Sequence, residues 1–261
     1  MPRVAREKSE TAVYHIMMRG NNRHEIFKSL EDKDRITKII HEKVIIDEAI
    51  IHAYCIMDNH LHLVVREGIA SISQTMKRIG TSYASYYNKN HGKIGHVFQD
   101  RFKSEVIENE KHLLAAVRYV HRNPLKAGIS VLNTYKWSSY KKYLNVSSAN
   151  KPGIKEILQI SSNNPHQAIQ AFIVFHEEKT VESFIDVKEL SPEEARIKVD
   201  NCLKESGISK CNLKNKEHRR LLEDLVIELA KQSDLSLREI AALLEQNRET
   251  VRKIMSKEPS L

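Results

Sequence analysis

Only three cysteines occur in the 261 residues, Cys55, Cys202 and Cys211, and none stands in a C-x-x-C pair. That scarcity argues against a disulfide framework or a zinc ribbon and fits a reducing cytoplasm. No apolar run approaches the roughly 18 residues needed to cross a bilayer, so no membrane partner is expected. The charged start, Met-Pro-Arg-Val-Ala-Arg-Glu-Lys, lacks the apolar core of a signal peptide. Acidic residues are in the minority: 34 Asp and Glu against 42 Lys and Arg give a net charge of +8 and a pI near 9.2. An excess of that size suits a polyanionic partner, although many soluble proteins are mildly basic. The length and a hydrophobic content of 41% allow one large domain or two small ones.

What is present centres on residues 52–65, His-Ala-Tyr-Cys-Ile-Met-Asp-Asn-His-Leu-His-Leu-Val-Val. Apolar and β-branched residues without Gly or Pro predict a strand from about Ile50 to Val65, with a bend near Met57-Asp58. Alternate strand side chains share a face, so His60 and His62 point one way while Leu61 and Leu63 enter the opposite layer. Two imidazoles so spaced make a ready pair of metal ligands; the plainer reading is surface or hydrogen-bonded core histidines.

Upstream, residues 11–18 read as a first strand running into Arg19-Gly20-Asn21-Asn22-Arg23, a basic turn suited to phosphate and base contact or simply a solvated hairpin loop. Residues 31–47 and 71–88 carry helical stripes, the second through Ile72, Met76, Ile79 and Tyr83. Residues 88–104 interleave Lys89, Lys93, Arg101 and Lys103 with aromatics and glycines. Such a stretch suits a loop and strand along single-stranded nucleic acid, or an ordinary basic strand. A strong helix spans 111–123, with Pro124 expected to stop it. On it Tyr119 and Asn123 are i and i+4, so a phenol stands beside an amide on one face. A helical tyrosine in isolation is more often packing.

The polar stretch 145–152 reads as an exit from a first domain, giving domains at 1–145 and 191–258 joined by a helical connecting segment, 146–190. A helix start near Ser191-Pro192, a long helix over 216–231 and two short helices within 236–256 follow. Ser236 and Glu239 form a capping box. With Arg248, Thr250, Arg252 and Lys253 outward on the last helix, the pair predicts a DNA-binding helix-turn-helix; the alternative is a helical dimerisation or capping module.

Taken in order, Tyr14-His15 with Arg19-Gly20-Asn21-Asn22-Arg23 and Ile26-Phe27, residues 57–63, 95–104 and 118–128, and Trp137-Ser138-Ser139-Tyr140 resemble the REP-associated tyrosine transposases, single-tyrosine HUH enzymes. The resemblance covers more than half the chain and does not reach the C-terminal helices. It implies an α+β, ferredoxin-like antiparallel sheet backed by helices. It also implies His60, His62 and Asn123 as ligands of Mg²⁺ or Mn²⁺, and Tyr119 as nucleophile. The implied activity is a single-strand DNA endonuclease and strand transferase working on hairpin-forming palindromic repeats through a 5′-phosphotyrosine. Arg19, Asn21, Asn22, Arg23, Lys93, Arg101 and Lys103 are the residues expected to grip that DNA, in a monomer or homodimer. One departure stands out: the family usually has Pro where this chain has Asp58, which bears on the bend before the histidines. The rival functions are a non-catalytic DNA-binding regulator derived from such a transposase, a small-molecule metallohydrolase, and a replication-initiation or conjugative relaxase of the same HUH chemistry.

Overall fold

The computed structural model describes residues 7–178, 184–185, 190, 192–233 and 235–256. The chain divides into two compact units, residues 1–186 and 187–261.

The first unit begins with β1 (Val13–Arg19), α1 (Leu30–Ile46), β2 (Ile50–Ile56), β3 (His60–Arg66), α2 (Ile72–His91) and β4 (Lys103–Ile107). The strands form an antiparallel sheet in the order β2-β3-β1-β4. Both helices start at reciprocal caps. The Ser29 side chain accepts from Asp32 N–H and the Ser71 side chain from Gln74 N–H, while each N3 side chain returns to the cap backbone. The expected long strand over 50–65 is in fact two strands and a tight turn at 57–59. Asp58 holds that turn: its carbonyl accepts from Phe27 N–H at 2.8 Å and its carboxylate lies 2.6 Å from Lys33 Nζ. Buried Lys33 lies 4.5 Å from the Trp137 ring centroid, so a cation bound from α1 fixes the reversal at this Asp.

Side-chain alternation sorts the sheet into two faces. Tyr14, Ile16, Leu61 and Leu63 pack with Ile36, Ile40 and Ile79 of α1 and α2. Val13, Cys55, Val64 and Ile107 pack against α3 (Glu110–Lys126). Each fully buried Leu or Ile stabilises by roughly 1.5–3 kcal/mol, so both layers contribute to holding the sheet between them. After α4 (Tyr140–Tyr143), α5 (Pro152–Gln159) and α6 (Pro165–Glu177) join the α3 layer through Ile154, Ile157 and Phe172. The stretch expected to connect two domains is thus, as far as residue 186, part of the first unit; the polar residues 145–152 are a surface turn within it.

Pro124 does not stop α3, which runs on to Lys126. Proline removes an N–H but keeps its carbonyl. Here that carbonyl accepts from Ile129 N–H at 2.9 Å, and Asn123 O accepts from Ala127 N–H at 3.0 Å, closing the last turn.

In the second unit α7 (Pro192–Glu205), α8 (Arg219–Gln232), α9 (Leu237–Leu243) and α10 (Arg248–Met255) enclose Val199, Leu225, Val226, Ile240, Val251 and Ile254. Ser191, expected at the start of α7, lies outside the described residues. The Ser236–Glu239 capping box opens α9 as expected, and Asn247 caps α10. The helix expected from 216 begins three residues later because its first turn is a 3-10 helix. Among the described residues no helix is long and apolar enough to cross a membrane.

Candidate active site and nucleic-acid interface

β1 pairs with β3 so that Met17 lies opposite His62 and Arg19 opposite His60. Both histidines thereby face the α3 side. Their ring centroids are 5.1 Å apart at 88°. His60 Nδ1 sits 2.6 Å from Asn59 Oδ1. An amide oxygen only accepts, so the His60 proton is on Nδ1 and Nε2 carries the lone pair. His62 Nδ1 lies 3.0 Å from His15 Nε2, with the two rings stacked 5.2 Å apart.

α3 lays Tyr119 over this group. Its ring centroid is 5.8 Å from that of His62 and 5.6 Å from that of His15. One turn on, Asn123 Nδ2 donates to Tyr119 O at 3.1 Å, so the amide's donor side is engaged and Oδ1 is the atom able to serve as a ligand. Tyr119 is only 2% exposed. Phe184 covers it with a centroid 5.0 Å away, and Lys126 Nζ stands 3.9 Å from the ring centroid. Among the described residues no three His, Cys, Asp or Glu side chains gather to hold an ion.

Four neighbours of the site were not assigned to it from the sequence: His15 and Lys126, which stood only within the motifs of the resemblance, and Glu105 and Phe184. Glu105 on β4 lies directly opposite His15, with Oε2 3.5 Å from His15 Nδ1. Burial pushes the Glu105 carboxyl up, but the His15 ring and the Ile185 N–H outweigh it and hold the group below the usual carboxylate range. The one signal available was parity: His15 is an even number of residues from Arg19 on the same strand. Nothing in the sequence says that Phe184 comes back to residue 119.

Of the residues expected to contact DNA, the two basic stretches meet. Asn21 N–H donates to Val97 O at 2.8 Å and Gln99 N–H to Arg19 O at 3.0 Å, so residues 19–21 and 97–99 run side by side. Gly20 is required there, because an added Cβ would overlap the His24 carbonyl oxygen. Asn22 and Arg23 follow with φ of 49° and 59°, a left-handed turn in which Asn22 is exposed and Arg23 half-buried. Arg19, expected in a loop, instead ends β1 and is buried. Lys93 and Arg101 are exposed, and Arg101 borders a groove of about 470 Å³ with Met18, Met76, Lys77, Gly80 and Phe98. Lys103 is exposed on β4 opposite Met17, on the histidine face. On α10, Arg248, Arg252 and Lys253 are exposed and Thr250 is half-buried; Arg252 Nη2 pairs with Glu249 at 2.9 Å.

Two strand histidines thus face a helical tyrosine, on an antiparallel α+β domain bordered by exposed basic residues. Residues 8–123 match the family model described as "Transposase IS200 like". A solved structure described as "Structure of the REP associates tyrosine transposase bound to a REP hairpin" is similar at 17% identity and a TM-score of 0.47, over 55% of this chain and 86% of that one. No curated protein matches the chain.

Proposed function

We propose that the protein is a metal-dependent single-strand DNA endonuclease and strand transferase acting on hairpin-forming repeats, with Tyr119 as nucleophile and His60, His62 and Asn123 as metal ligands. The observation that carries this reading is the Tyr119 ring 5.8 Å from that of His62, inside the stretch that matches the IS200-like transposase model.

A bound Mg²⁺ or Mn²⁺ would supply Lewis-acid polarisation of the scissile phosphate. The chain's own groups do the rest. Tyr119 Oη bonds to phosphorus as the P–O3′ bond breaks; the phenol gives up its proton, and O3′ leaves with one. A free phenol ionises at about pH 10, so negative charge developing on Oη needs a cation nearby. Lys126 stands 3.9 Å from the Tyr119 ring centroid. Lys103, on the same sheet face, is available to the incoming phosphate. The 5′-phosphotyrosine retains the phosphodiester's bond energy, so attack by another 3′-OH rejoins strands without ATP. The ferredoxin-like sheet provides a rigid base for this geometry. Asn21, Asn22, Arg23, Lys93 and Arg101 would track the single-stranded flank, while Arg248, Thr250, Arg252 and Lys253 on α10 would meet duplex as the second half of a helix-turn-helix.

The test is incubation with labelled hairpin DNA bearing a single-stranded flank and Mn²⁺. A denaturation-resistant protein–DNA band is expected from the natural chain and none from Tyr119→Phe, with DNA affinity unchanged. Adducts that persist in Tyr119→Phe would remove Tyr119 from the role. A second reading, a regulator that binds DNA without cutting it, is favoured by the 2% exposure of Tyr119. It predicts salt-sensitive binding and no band under any metal.

A further inference from the structure

The sheet register sets a row of three polar side chains across its histidine face. Glu105 on β4 is directly opposite His15 on β1. His15 is diagonal to His62 on β3, since His62 is paired with Met17, two residues further along β1. Such neighbours are within reach of long or aromatic side chains. Glu105 Oε2 is 3.5 Å from His15 Nδ1, and His15 Nε2 is 3.0 Å from His62 Nδ1. We propose that Glu105 and His15 are positioning residues: they fix the tautomer and ring plane of His62 so that its Nε2 lone pair is presented to the metal. This inference rests on the nuclease reading for its purpose but is testable apart from it.

Proton counting gives the direction of the chain. A carboxylate accepts only, so the His15 proton belongs on Nδ1, toward Glu105. With one proton per ring, His15 Nε2 must then accept, and His62 must donate from Nδ1. His62 is left with its lone pair on Nε2, the same atom that carries the lone pair on His60 when Nδ1 donates to Asn59. The two imidazoles thus reach the same state by different routes. For His60 the partner is the preceding residue in the turn. For His62 it is an imidazole on the next strand, backed by a carboxylate one strand further out.

Packing keeps the row in place. His15 is fully buried, stacked on His62 at 15° and met edge-on by Phe184 at 5.6 Å. Glu105 Oε2 also accepts from Ile185 N–H at 3.2 Å, which ties its carboxylate at the sheet edge. Partners of this kind beyond the ligands commonly control metal affinity by 10–100-fold, by orienting the ring and raising its basicity.

The experiment is ¹⁵N–¹H two-bond correlation spectroscopy of the full chain without metal at neutral pH, with Mn²⁺ titration calorimetry beside it. His62 is expected as the Nδ1–H tautomer. In His15→Phe, which keeps a ring but no acceptor, His62 should mix tautomers and Mn²⁺ affinity should fall by about tenfold. His15→Gln, whose amide oxygen accepts, should restore most of the affinity, and Glu105→Gln should fall between. An Nε2–H tautomer of His62 in the natural chain overturns the proposal, as does Mn²⁺ affinity in His15→Phe equal to that of the natural chain. Should His15→Phe fail to fold, the natural chain's tautomer and the half-exposed Glu105→Gln decide. Covalent DNA adducts with an unresponsive tautomer would sink the row and spare the nuclease. The expected tautomer and affinities without adducts would do the reverse.

Discussion

Two groups of buried histidines lie on α3's side of the sheet, and they end differently. In one, His121 Nδ1 is 3.0 Å from His176 Nε2 and His121 Nε2 is 2.7 Å from Ser139 Oγ. That chain closes on main-chain groups, Phe172 O at His176 Nδ1 and Tyr54 N–H at Ser139 Oγ. It is walled in by Tyr140, Tyr143 and Phe172. In the other, His15 and His62 lead from a carboxylate to the ring beside Tyr119. A network satisfied by backbone at both ends orders α3 against α6; the one that runs from a charged side chain to the ring beside a tyrosine is the one we propose serves a ligand. Burial and hydrogen bonding alone do not separate structural from functional histidines, because both groups are buried.

The sharpest way to break this contrast is to exchange the outcomes. His60→Ala with His62→Ala should abolish adduct formation and Mn²⁺ binding while thermal denaturation stays near that of the natural chain. Cleavage surviving in excess chelator would end the assignment. His176→Phe should leave cleavage per folded molecule intact. It should lower unfolding free energy by about 1–3 kcal/mol, since His121 loses its acceptor in the interior. Denaturant titration reads that loss directly.

Acid should act on the His121–His176 group through folding. Burial holds His176 down at about 3 and His121 well below its ordinary value, with Arg118 and Arg122 adding to the effect at His176. Both rings stay neutral when folded and charge when unfolded, so the unfolded chain binds more protons below pH 6.5. Stability should therefore fall as pH drops from about 6.5 toward 3, by about 1.4 kcal/mol per pH unit for each ring. His176→Gln should flatten part of that slope; an unchanged slope would show that other groups carry it. The smallest effect concerns the surface beside the His15–His62 group. Lys103→Ala should weaken DNA binding evenly across sequences and reduce the slope of log affinity against log salt by about one.

The legible parts were those with a local cause. The helix stripes of α1 and α2, the Ser236 cap and the His60–His62 alternation each depend on residues a few positions apart. The misread parts depended on distant partners. The reversal at 57–59 is held by Lys33 and Phe27, neither of which the stretch itself reveals. Residues 146–178 looked like a connector because their apolar positions have no visible counterpart until α3 is folded beside them. Likewise the bond of His121 to His176, 55 residues away, has no trace in the local pattern.

By itself the sequence determined which side chains alternate, which turns of helix begin where, and that a tyrosine, an amide and two imidazoles of suitable chemistry exist at regular spacing. Only the tertiary structure decided that β4 sets a carboxylate across from His15, that residues 19–21 lie against 97–99, and that Phe184 covers Tyr119. The reason is physical. Periodicity is dictated by backbone geometry within a few residues, whereas strand register and layer packing are settled by burying apolar surface that the chain supplies from far apart.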